Sequence, residues 1–98
     1  MMMGRNNDKT IKEAIDQLLD AYKLRRRFDE TKLIAAWPEL MGTAVANRTK
    51  QLYIRDNKLF LRLESSVIKN ELFLLKKQII DKLNEKAGHE VITAIVFL

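Results

Sequence analysis

Lys50-Gln51-Leu52-Tyr53-Ile54-Arg55-Asp56-Asn57-Lys58-Leu59-Phe60-Leu61-Arg62-Leu63-Glu64, residues 50–64, decides the fold. Apolar and polar side chains alternate with period two, so Leu52 and Ile54 share one face of a first strand and Leu59, Leu61 and Leu63 one face of a second. Between them Asp56-Asn57 tolerates positive φ and hydrogen-bonds locally, which predicts a tight hairpin turn although the usual Asn-Gly or Asp-Gly is missing. Toward the C-terminus, Ser65 or Ser66 caps a long helix whose stripe is Ile68, Leu72, Leu75, Ile79 and Leu83, widened by Val67, Leu74 and Ile80. Gly88 ends it, because glycine takes the left-handed conformation at little cost. Residues 91–98 are β-branched and apolar on both faces, as expected of a strand buried among neighbours.

Toward the N-terminus, Ile11, Ala14, Ile15, Leu18, Leu19 and Tyr22 repeat at helical spacing behind the capping box Thr10-x-x-Glu13, which predicts a helix over roughly residues 10–24. Its acids Glu13, Asp16 and Asp20 pair with Lys12 and Lys23 on the solvent face. Leu33, Ile34 and Trp37 resume the period after Asp29, and Pro38 predicts a kink or restart before Leu40, Met41, Ala44 and Val45. The order is α-α-β-β-α-β, an α+β fold with a three-stranded sheet packed against helices. It forms one domain over residues 10–98 behind a flexible N-terminus, residues 1–9.

The 98 residues suffice for one core, and 47% hydrophobic with 32% charged residues is the balance of a globular protein. No apolar run reaches bilayer or signal-peptide length, and there is no cysteine, which points to the reducing cytoplasm. Eighteen Lys and Arg against 13 Asp and Glu give a formal charge of +5. The densest basic segment, Lys23-Leu24-Arg25-Arg26-Arg27, suits a polyanion or an acidic protein surface, or else is a solvated inter-helix loop.

Groups for catalysis are scarce. His89, the one histidine, falls in a predicted turn without a His or Cys neighbour to complete a metal site. Ser65-Ser66 lacks a nucleophile elbow, and helix capping accounts for it. Glycines at 4, 42 and 88 are too far apart for any phosphate-cradling loop or a GXXG loop. Trp37 and Phe28 lie near the basic segment, whereas Tyr53, Phe60, Phe73 and Phe97 read as sheet and core residues, leaving no evident platform for base stacking. Trp37 is a core anchor or, alternatively, an exposed apolar hot spot. The reading is a binding protein and not an enzyme, requiring no cofactor.

The succession Trp37, Gly42, Ala46, Thr49, Leu59, Ser65-Ser66, Glu71-Leu72, Leu83-Asn84, Gly88 and Ile95 resembles the DciA family over roughly residues 10–98. That resemblance implies a KH-like domain without the GXXG loop, in bacterial proteins that load or operate the replicative DNA helicase. Two positions depart from it: Val67-Ile68 stands where members often have a bulky aromatic, and Asp56-Asn57-Lys58 where they often have a turn glycine. Many members also carry a long segment beside the domain. The expected function is therefore a non-enzymatic DNA-replication accessory that binds the replicative helicase, with single-stranded DNA as a second partner. Trp37 and Phe28 are the candidate partner contacts, and Lys23, Arg25, Arg26, Arg27 and Arg48 the candidate nucleic-acid contacts. A stand-alone single-stranded nucleic-acid binder is the alternative.

Overall fold

The computed structural model describes the backbone of residues 2–98 and the side chains of residues 10–98. The expected flexible terminus, residues 1–9, rests on side chains outside that description. A long helix α1 (Met2–Met41) is followed by α2 (Thr43–Asn47), the hairpin β1 (Thr49–Arg55) and β2 (Lys58–Leu63), two helices α3 (Ser66–Leu74) and α4 (Lys76–Ala87), and β3 (Ala94–Phe97). The sheet has the order β1-β2-β3, antiparallel across the hairpin and parallel between β2 and β3. The fold is α+β, as expected.

The hairpin forms as its alternation dictates. Ile54 pairs with Leu59 and Leu52 with Leu61, which puts the leucine face into the core, where Leu59 and Leu61 are buried. Asp56 and Asn57 both take positive φ, 53° and 64°, the backbone that a two-residue turn between right-twisted strands requires. Asn57 also fastens the turn to the third strand's approach: its side-chain Nδ2 donates to the Val91 carbonyl at 2.9 Å and its backbone carbonyl accepts from the Thr93 amide at 2.8 Å.

Three elements differ from the sequence reading. The predicted gap between helices at residues 25–32 is helical, because Arg25 and Arg26 pair with Asp29 and Glu30 one turn on and carry α1 through. The helix also passes Pro38, which stands three residues before its last, Met41, and stops at Gly42, whose φ of 87° and ψ of 159° only glycine adopts readily. The long C-terminal helix divides at Leu75, whose amide bonds back to Leu72 at 3.0 Å in a tightened turn. Finally, β3 starts at Ala94 and not at Val91, because Asn84 captures the preceding backbone. Its Oδ1 accepts from the amides of Val91 and Ile92 at 2.9 and 2.8 Å, and its Nδ2 donates to the Ile92 carbonyl at 2.9 Å.

Ser65 caps α3 by accepting from the Ile68 amide, and Gly88 closes α4 in the left-handed conformation. The core is Leu33 and Trp37 of α1, Leu59 and Leu61 of β2, Leu72, Ile79 and Leu83 of α3 and α4, and Val91, Ile92 and Ile95. The domain hangs on the C-terminal part of α1, and the overall extents of 67 × 21 × 20 Å leave the rest of that helix projecting as an arm.

Candidate functional site

Trp37 settles as a core residue, 2% exposed, and not as a surface hot spot. Its indole N–H donates to Thr49 Oγ1 at 3.0 Å, and that hydroxyl donates to the Val45 carbonyl at 2.8 Å, so one chain of hydrogen bonds joins α1, α2 and β1. Phe28 is the reverse, 64% exposed, with Leu24 one turn before it equally uncovered.

The basic segment lies mid-helix, and its four charges divide by the helical period. Arg25 and Arg26 turn toward the domain. Arg25 Nε is 3.7 Å from Asp29, and Arg26 reaches Glu30 at 3.3 Å and Asp56 of the hairpin turn at 3.9 Å. Lys23 and Arg27, four residues apart on a neighbouring strip, make no ion pair among the described residues. They line a shallow notch between α1 and the hairpin tip together with Arg26, Ile54 and Arg55. Arg48 does not join them: it precedes Thr49, whose partner is Leu63, while Arg55 pairs with Lys58 at the other end of the hairpin. Seven strand residues at about 3.3 Å each separate the two ends. Arg55, and not Arg48, lies beside Lys23 and Arg27.

Asp29 is the one buried charged residue among those described, 4% exposed. Its Oδ2 lies 2.8 Å from His89 Nε2, across 60 residues of sequence, so His89 is exposed in the turn after α4, as expected, and also clamps that turn to α1. Nothing in local spacing announces the pair. The expected pairing of Glu13, Asp16 and Asp20 with Lys12 and Lys23 is likewise not formed among the described residues.

The outer face of the sheet carries what the sequence reading missed. Tyr53 and Phe60 pair across the hairpin and stack with ring centroids 4.9 Å apart and planes 5° from parallel, and Val96 continues the row on β3. None of the three belongs to the core cluster. Gln51 with Arg62 and Arg55 with Lys58 form the rows to either side, all exposed. The strand alternation held this signal, since Tyr53 and Phe60 have the opposite parity to the leucines.

Among the described residues no helix is long and apolar enough to cross a membrane, and no three His, Cys, Asp or Glu residues cluster to hold a metal. What stands exposed is a basic and aromatic surface on a small α+β scaffold. The sequence profile described as "Dna[CI] antecedent, DciA" matches residues 10–97, and the chain belongs to the DciA family. A UPF0232 protein of Corynebacterium glutamicum (strain R) is 34% identical over 59 residues, a match that covers 60% of this chain and 33% of that protein. The matched part is thus about a third of the relative's length.

Proposed function

We propose that this chain is a non-enzymatic DNA-replication accessory protein that binds the replicative helicase and assists its loading on DNA, using no cofactor of its own. Family membership supports the process. The observation that carries the contact is the exposed quartet on α1: Leu24 and Phe28 form an apolar pair beside Lys23 and Arg27, whose charges are free for an acidic partner face. Trp37 acts from within, fixing the helix that presents them. The test is retention of the purified chain on the immobilised cognate helicase, with the double variant Phe28→Ala, Arg27→Glu alongside. Wild type binds, the variant binds at least about tenfold more weakly, and absence of wild-type binding refutes the proposal.

The outer sheet face favours a second reading, direct binding of single-stranded DNA. Bases stack on Tyr53 and Phe60 while Arg55, Lys58 and Arg62 hold phosphates. With Arg55, Lys58 and Arg62 on phosphates, log affinity falls with log salt at a slope of about −2, using about 0.7 per contact. A flat titration, or no binding at low salt, excludes it.

A further inference from the structure

The apolar face that α1 buries under the domain does not end where the domain ends. Leu33, Ala36 and Trp37 are covered, but from about two to five turns before Asp29 the same face continues as Tyr22, Leu19, Leu18, Ile15, Ala14 and Ile11 with none of the described residues against it. The five large side chains in this stretch are 51–69% exposed. Together they leave roughly 600 Å² of apolar surface in one stripe, at the upper end of what monomers carry. A helix also gains most of its stability from packing, so an uncovered arm of this length is marginal.

We infer that the occupant is a second copy of this chain, its arm lying antiparallel along the first. The spacing of the stripe, three-one-three-one-three, is unchanged on reversal about the midpoint between residues 16 and 17. A twofold there sets Ile11 against Tyr22, Ile15 against Leu18, and the small Ala14 against the bulky Leu19. The stripe bears no charge between residues 11 and 22, as Lys12, Glu13, Asp16 and Asp20 fall off it. Two arms remove roughly 1,200 Å² in total, the lower bound of specific interfaces, as expected of a weak dimer. The same register puts residue 29 level with residue 4 of the other helix, so the two domains sit at opposite ends and do not collide. Lys23, Arg27 and Phe28 stay outside the stripe.

Sedimentation of the full chain tests this across roughly two decades of concentration centred on ~20 µM. The weight-average mass rises from monomer toward twice that value, and helicity at 222 nm rises with it. Leu18→Glu stays monomeric with dimer affinity reduced at least about tenfold, while its unfolding midpoint by Trp37 fluorescence matches wild type at low concentration. Orientation is read separately, since the chain has no cysteine. Equimolar Ile11→Cys and Tyr22→Cys chains, oxidised together, give mixed disulfides if the arms are antiparallel. A monomer at every concentration, unchanged dimerisation of Leu18→Glu, or only Ile11→Cys homodisulfides overturns the inference.

Discussion

Replacing Asn84 with alanine tests whether one side chain sets the start of the third strand. Asn84 makes three bonds of 2.8–2.9 Å to the backbone of Val91 and Ile92, both buried. At about 1 kcal/mol net for each bond, the loss is about 3 kcal/mol, and more where the freed amides find no water. For a domain of this size that corresponds to a fall in Tm of about 12–24 °C. Asn84→Asp keeps the acceptor for both amides and loses only the donor to the Ile92 carbonyl, so its cost is the smaller. Urea unfolding followed by Trp37 fluorescence and far-ultraviolet circular dichroism gives both values. A loss under about 1 kcal/mol for Asn84→Ala, or equal losses for the two variants, would show that the backbone of residues 91–92 is held by something else.

Gly42→Ala is expected to cost about 1–3 kcal/mol through backbone strain alone, since an added Cβ meets nothing within 4 Å, and a stabilising outcome in thermal unfolding would contradict it. Trp37→Phe and Thr49→Val should couple by about 1 kcal/mol in a double-mutant cycle, and additivity would deny the hydrogen bond between them. Asp29→Ala and His89→Ala each lower stability by about 1–3 kcal/mol, and the pair together costs less than their sum. Tyr53→Ala, with Phe60 left in place, should weaken binding of an oligothymidylate by about 1–3 kcal/mol if the outer sheet face stacks bases, as measured by fluorescence anisotropy.

The hairpin was legible because period-two alternation and a dipeptide tolerant of positive φ agree with each other. Gly88 was legible as a stop for the same local reason. The continuity of α1 was not. Arg25, Arg26 and Asp29 occupy the positions that continue the apolar stripe from Tyr22 to Leu33, so the hydrophobic period lapses there. What makes Asp29 an interior residue is His89, which no local window contains. The break at Leu75 carries no proline or glycine, and the late start of β3 depends on an amide side chain competing for strand backbone. At the site, burial decided between the two readings of Trp37 in favour of the core anchor, and left Phe28 exposed. The strand parity of Tyr53 and Phe60 outweighed the general tendency of aromatics to be core residues.

Because α1 is one uninterrupted helix, the angular setting of its arm is fixed by residues far along the same rod. Trp37 and Asp29 lock the rotation of the helix against the domain, and each residue between them and Tyr22 adds about 100° of turn. A single-residue insertion between Tyr22 and Asp29 would leave the core and every surface residue chemically intact while swinging the arm's apolar stripe by more than a quarter of a revolution. The spacing of this segment therefore works like the keyway of a shaft, and its length is under tighter constraint than its exposed side chains.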